Sequence, residues 1–263
     1  VVRIRSGWMT YRVRFTREGT LPSLRAAGLL GILLLALFLS GCMYPGKEVS
    51  GSAISYRESV KKIQTAVDDY YQDEGLLPIM NADETTPRYE KFRIDLDKLN
   101  KRGYLDAIPA TAFEKGGSVY FLLLDEERNP TVKVMDLATV QAVNDVQRKV
   151  NLYRSSHGGE LPAAGELYPG LYSVDGNKAG TESMKLTSVF SGQEMDYIMD
   201  KTGSVYADYV FDIMSAVDKG KEQPAPDEDL RSYLLENSWF VPVKSLPYYW
   251  VGGQPVPRPS SDK

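Results

Sequence analysis

Apolar residues recur along this chain in two helical stripes. Tyr56, Val60, Ile63, Val67 and Tyr70 stand four, three, four and three residues apart, a spacing that collects them on one face of an α-helix. Ser55 and Glu58 form a capping box at the predicted start, and Gly75 marks the end. Val140, Val143, Val146, Val150 and Tyr153 make the second stripe, with Asp136 as predicted N-cap and His157-Gly158-Gly159 as stop. Strand patterns follow each helix. In the first half, 118–124 and 131–135 flank the turn-rich 125–130; in the second, 195–199 and 204–210 flank Asp200-Lys201-Thr202-Gly203. Leu96 and Leu99 mark a short helix between the first long helix and its hairpin. Beyond the second hairpin the pattern predicts a helix at 227–237, proline-broken aromatic strands at 239–251, and a flexible tail at 252–263.

The two halves align. Val60, Ile63, Gln64, Val67, Tyr70 and Gly75 fall on Val143, Val146, Gln147, Val150, Tyr153 and Gly158 at a constant separation of 83 residues. Leu77-Pro78 falls on Leu161-Pro162 one residue later, and 114–120 matches 200–206 at a separation of 86. Near-agreement of the separations predicts a tandem duplication in an α+β protein, each unit an amphipathic helix packed on a small antiparallel sheet. The predicted boundaries are 55–135 for the first unit and 136–251 for the second.

Upstream of both units the pattern changes. Arg3, Arg5, Arg12, Arg14, Arg17 and Arg25 face a single acid, Glu18, and precede an unbroken apolar run of fourteen residues at 26–39. A run of that length is short for a membrane span, which needs about 20 residues, and fits the apolar core of a secretory signal. It ends in Leu39-Ser40-Gly41-Cys42, which contains the only cysteine of the chain. These four residues resemble the bacterial lipobox. The resemblance implies that 1–41 is a lipoprotein signal peptide, with Leu39, Ser40 and Gly41 read by the signal peptidase. Cys42 would then be the acylated new N-terminus, carrying diacylglyceryl and palmitate-type chains. Residues 42–54, rich in Gly, Ser and Pro, read as a lipidated tether.

Charge narrows the partners. Without 1–41 the chain holds 25 basic and 34 acidic residues, a net charge near −9. Nucleic-acid binding relies on clustered Lys and Arg, and no basic stripe with interleaved aromatics is present, so nucleic acid is excluded as a partner. An acidic body is also repelled by anionic lipid headgroups, so the membrane is engaged through the acyl chains. With the cysteine consumed by lipid, the body has no disulfide, thiol ligand or thiol nucleophile.

Catalytic sets are sparse. The single histidine, His157, sits at a predicted helix end, where it faces solvent and complements the helix dipole. No Gly-x-Ser-x-Gly, P-loop or His-Glu-x-x-His pattern occurs, and a zinc site has almost no ligand set. Asp175-Gly176-Asn177 lacks the remaining oxygens of a calcium loop and reads as a turn. The expectation is therefore no cofactor, no metal and no enzyme. Glycan cleavage by two carboxylates about 5–10 Å apart is the alternative, with Asp208 and Asp212, or Asp196 and Asp200, as pairs. Trp239, Phe240, Tyr248, Tyr249 and Trp250 form the candidate contact surface, since Trp and Tyr dominate interface hot spots; the competing expectation is that they close the core of the second unit.

Two wider resemblances bear on this. The order of a tyrosine-bearing amphipathic helix, Gly75-Leu76-Leu77-Pro78, a short helix, and Gly103-Tyr104-Leu105 with Ile108-Pro109 before strands is similar to the globular part of type II pseudopilins over 56–124. Pseudopilins carry a prepilin peptidase site and an apolar helix continuous with the globular domain, whereas here a lipobox and tether intervene. The resemblance thus implies helix-on-sheet packing rather than secretion. The whole chain resembles lipoproteins of Bacillus-type Gram-positive bacteria, which implies a compartment and no activity. The expected protein is lipid-anchored at the extracytoplasmic face of the cell membrane, a non-enzymatic binding or assembly component with an envelope-protein or cell-wall partner; a sporulation or germination role is a further alternative.

Overall fold

The computed structural model describes residues 49–220 and 224–259, with side chains from residue 55. The lipobox Leu39-Ser40-Gly41-Cys42, the signal peptide 1–41 and the first part of the tether lie outside the described residues. Helix α1, Val49–Glu74, begins six residues before the predicted Ser55 cap, so its start overlaps the predicted tether. Ser55 is inside the helix, where its carbonyl accepts from Ser59 Oγ; a Ser-x-x-Glu pattern is equally at home on an exposed helical turn. Val60, Ile63, Val67 and Tyr70 are buried, as their spacing requires.

A short helix α2, Leu96–Lys101, leads to the hairpin of β1, Val119–Leu124, and β2, Thr131–Asp136. Phe121 and Leu123 pack under α1, while Leu122 and Leu124 face the opposite side among Val241 and Val243. That two-sided burial explains why β1 reads Val-Tyr-Phe-Leu-Leu-Leu rather than alternating. Strand β2 runs directly into α3, Leu137–Ser156, through Asp136, whose carboxylate accepts from the Thr139 N–H and hydroxyl at 2.7 and 2.8 Å.

The second unit repeats this layout. After α3 come β3, Ala163–Tyr168, β4, Leu171–Val174, and the single turn of α4, Gly176–Ala179. A small hairpin of β5, Leu186–Thr187, and β6, Glu194–Met195, precedes β7, Tyr197–Asp200, and β8, Val205–Ala207. The main sheet has the order β3-β4-β7-β8, antiparallel throughout. The first unit reproduces that order through short bridges, Ile79 opposite Ile94 and Arg93 opposite Leu122, ahead of β1 and β2.

The correspondence extends to single hydrogen bonds. Ile79 N donates to Leu77 O and Ala163 N to Leu161 O, both at 2.9 Å; Asp95 N donates to Pro78 O at 2.8 Å and Asp175 N to Pro162 O at 2.7 Å. Asp95 and Asp175 then cap α2 and α4. Gln64 and Gln147 do the same work on the two long helices. Gln64 Oε1 accepts from Val132 N and its Nε2 donates to Pro130 O, at 2.8 and 2.9 Å; Gln147 Oε1 accepts from Val205 N and its Nε2 donates to Gly203 O, both at 2.7 Å. Each side-chain amide stands in for the peptide of a neighbouring strand at the outer edge of its hairpin. Gly203 has φ +88°, and a Cβ there would sit 2.8 Å from Leu161, so this turn admits glycine alone without strain.

These bonds also correct the second sequence match. The ladder pairs Leu122 with Lys133 and Ile198 with Tyr206, and the glutamines pair 130 and 132 with 203 and 205. Residues 118–120 therefore enter the first strand of one hairpin, while 204–206 form the second strand of the other. Both stretches follow a glycine turn into a strand, which makes their sequences alike at positions that are not equivalent.

The C-terminal part joins the units. Helix α5, Val210–Lys219, continues β8, and α6, Ser232–Glu236, is shorter than predicted. Residues 239–246 run along both outer edges: Val134 N donates to Trp239 O, Val241 N to Val134 O, and Ala207 N to Lys244 O. Val241 and Val243 cover the second face of the first hairpin, and Leu246 covers Leu171 and Ile198 in the second. Residues 254–257 are not a loose tail. They form β10, Gln254–Pro257, paired with β9, Tyr248–Val251, across Gly252-Gly253, both at positive φ. Pro255 and Pro257 hid this strand from sequence reading; they alternate with Gln254 and Val256, so their missing N–H groups fall on the non-bonded positions of the pair.

Candidate functional site

Asp212 lies in the first turn of α5, in the apolar stretch Val210-Phe211-Asp212-Ile213-Met214. Its side chain is 4% exposed. Placement beside the helix N-terminus favours a negative charge there, yet only one of its oxygens is satisfied. Oδ2 accepts from Ser188 Oγ at 2.7 Å, while Oδ1 is buried with no hydrogen-bond partner among the described residues. Leaving a buried carboxylate oxygen unpaired costs about 1–3 kcal/mol, more for a full charge. Such a group is an exception that calls for a reason.

Ser188 ties this carboxylate to the β5–β6 loop. Its hydroxyl accepts from Phe190 N and Ser191 N at 3.0 and 3.3 Å while donating to Asp212, and Phe190 packs edge-on to Tyr209 at 5.7 Å. The loop therefore holds one side of a cavity of about 240 Å³ that Asp212 lines. Ser215, Ala216 and Lys219, on the same face of α5 as Asp212, form a second side, and Tyr233, Leu234 and Asn237 at α6 close the third. The result is a small chamber with mixed apolar and hydroxyl walls and a single buried acid.

The other nominated acids are differently placed. Asp208 is held by three donors: Tyr168 and Tyr248 hydroxyls at 2.8 and 2.7 Å and Val210 N at 3.0 Å. Burial pushes its carboxyl above the usual carboxylate range, and the tyrosine and backbone hydrogen bonds work in the opposite direction. The Tyr248 hydroxyl accepts in turn from Tyr209 N at 2.9 Å, which makes this a closed stitch between β8, β3 and β9. Asp200 organises its own turn, its Oδ1 accepting from Thr202 N, Thr202 Oγ1 and Ser204 N and its Oδ2 from the Tyr206 hydroxyl. Asp196 is exposed. Asp208 and Asp212, paired in the sequence reading, sit in separate hydrogen-bond networks. Asp175 is a helix cap, accepting from Asn177 N and Lys178 N.

The five aromatic residues of the candidate contact surface are divided rather than gathered. Tyr248 is fully buried, so it offers no surface. Trp250 packs against the second core, and Phe240 against the first, edge-on to Tyr56 at 5.3 Å. Tyr249 is half-buried under Arg258 at 4.9 Å, and Trp239 is the exposed member. Their separation follows from the path of 239–251, which serves the first hairpin before it reaches the second. His157 is exposed at the end of α3, stacked on Tyr153 at 3.8 Å, with Nδ1 at 2.9 Å from Tyr153 O.

Sequence reasoning named Asp212 only as half of an acid pair and missed Ser188 altogether. The available signal was an aspartate inside an amphipathic helix on a face otherwise holding small and apolar residues. Among the described residues no cluster of His, Cys, Asp and Glu is arranged to hold a metal ion, and no helix is long and apolar enough to cross a membrane.

Residues 56–136 match the family model of the YphF family N-terminal domain. The matched stretch runs from α1 to the last residue of β2, and the cavity at Asp212 lies outside it. No curated protein and no solved structure matches the chain.

Proposed function

We propose that this chain is a lipid-anchored protein of the extracytoplasmic membrane face, acting as a non-enzymatic binding component of the cell envelope. The observation that carries the proposal is Leu39-Ser40-Gly41-Cys42 at the end of an arginine-led apolar run, holding the chain's one cysteine. A thiol in that setting is the acceptor of a diacylglyceryl group, and two or more acyl chains give stable attachment where one is marginal. The resemblance to lipoproteins of Bacillus-type bacteria agrees with this.

The carboxylates support a binder over a glycan-cleaving enzyme. A general acid and its partner need free oxygens facing a shared cleft, and the oxygens of Asp200 and Asp208 are taken up by neighbouring donors. Asp212 lines a small chamber and has one unpaired, buried oxygen, an arrangement suited to holding a ligand rather than to splitting a polymer. In cells fed labelled palmitate, the chain should carry label and sediment with membranes, and Cys42→Ser should lose the label and enter the soluble extracytoplasmic fraction. Label on the Cys42→Ser chain, or a soluble unlabelled parent chain, overturns the proposal.

A further inference from the structure

The chamber beside Asp212 is more specific than a generic cleft, and its chemistry selects a ligand class. We propose that it binds a small primary amine, with the ligand's ammonium group donating to Asp212 Oδ1. This deepens the binding-component reading and rests on it.

The sign of the charge comes first. Among the described residues the only buried ionisable group on the chamber wall is a carboxylate, and one of its oxygens has no donor there. A cation that carries its own N–H groups supplies both the missing charge and the missing bond. A metal ion is a poorer fit. Calcium and magnesium take about six or more oxygens, commonly from several carboxylates, and here a single acid stands with neutral serine and asparagine side chains, the Lys219 cation, and Phe190, Ala216 and Leu234. An anion is poorer still, since it would have to lie against Asp212.

Size and walls narrow the class. A space of about 240 Å³ holds roughly eight water-sized groups, which suits an amine with a short apolar body. Phe190, Ala216 and Leu234 offer that body an apolar surface, and an aromatic ring beside an ammonium adds attraction. Ser188 is already committed: its hydroxyl donates to Oδ2 and fixes the carboxylate, so the second oxygen remains for the ligand. Lys219 lines the same chamber, is exposed, and forms no ion pair among the described residues. A ligand that joins its amine to a carboxylate engages both ends, which is the chemistry of an apolar amino acid.

Three matched probes separate the contributions: isoamylamine, L-leucine, and 4-methylpentanoate, which keeps the side chain and acid but lacks the amine. Calorimetric titration of the purified full-length chain in detergent should give binding of the first two and none of the third. Asp212→Asn should weaken both amines by roughly tenfold or more, and Lys219→Ala should weaken leucine alone, by about threefold. If Asp212→Asn fails to fold by circular dichroism, Ala216→Phe, which fills the chamber and leaves the acid in the chain, should abolish amine binding. The proposal is overturned if the parent chain binds neither amine at millimolar concentration, if 4-methylpentanoate binds as well as leucine, or if a folded Asp212→Asn or Ala216→Phe chain keeps full affinity. A chain that is lipidated at Cys42 yet binds no amine loses this assignment and keeps its anchor; amine binding by an unlipidated native chain does the reverse.

Discussion

Changing Gln147 to Glu tests the repeated edge contact with a near-isosteric swap. In the parent chain the amide accepts from Val205 N and donates to Gly203 O, both at 2.7 Å. Ionised Glu keeps the acceptor and replaces the donor with a second oxygen facing a carbonyl. One hydrogen bond is lost and the part-buried Gly203 carbonyl loses its partner, so the expected loss is about 2–3 kcal/mol at pH 7. When the carboxyl is protonated its O–H donates to Gly203 O and the amide's pattern is restored. The charged form is disfavoured in the fold, so the folded pKa lies above the unfolded value of about 4.3. Relative stability is therefore fully present below that unfolded value and lost as pH rises through the folded pKa. Gln64→Glu should follow the same course with an added loss near neutrality of about 0.5 kcal/mol, because the Gln64 amide also donates to Asp68, whereas the Gln147 amide meets the neutral Asn151. Urea unfolding of the parent and both variants at pH 4 and pH 7 measures this directly. Variants as stable as the parent at pH 7, or equally destabilised at both pH values, would show that the amides do not act as strand partners.

Three further substitutions probe the remaining stitches. Tyr248→Phe removes the acceptor of Tyr209 N and a donor to Asp208, and chemical denaturation should register a loss of about 1–3 kcal/mol. Asp208→Asn removes a carboxyl whose folded pKa is raised by burial; the parent's stability from this group falls as pH rises through that value, so the variant should gain on the parent between pH 4 and pH 7 in the same assay. Gly117→Ala would drive a Cβ into the Thr111 carbonyl, a backbone clash expected to lower stability by roughly 2–3 kcal/mol in thermal unfolding.

The long helices and main hairpins were legible because burial enforces period: Val60, Ile63 and Val67 on α1, and Val143, Val146 and Val150 on α3, are all buried. The cap at Asp136 was legible for the same local reason, since an aspartate before an apolar stripe has a defined job. The start of α1 was not, because the helix extends back through Gly51 and Ser52, which read as linker. Strands β3 and β4 were also hidden. Glu166 and Leu167 on β3 are exposed, so no alternation marks the strand, and only Pro169-Gly170, with Gly170 at φ +75°, signals the turn. Gln64 and Gln147 were seen as aligned residues, but their bonding to distant strands needed the fold. The candidate chamber is the least local of all: Asp212, Ser188 and Tyr233 come from three separate segments, and an unpaired oxygen is a property of packing rather than of sequence.

Intact mass spectrometry of the native chain extracted from its own membranes reads the proposed acylation of Cys42 itself. The expected species is a polypeptide whose first residue is Cys42, its sulfur in thioether linkage to a diacylglyceryl group. A chain that retains residues ahead of Cys42, or one that begins elsewhere with a free thiol at that position, would contradict it.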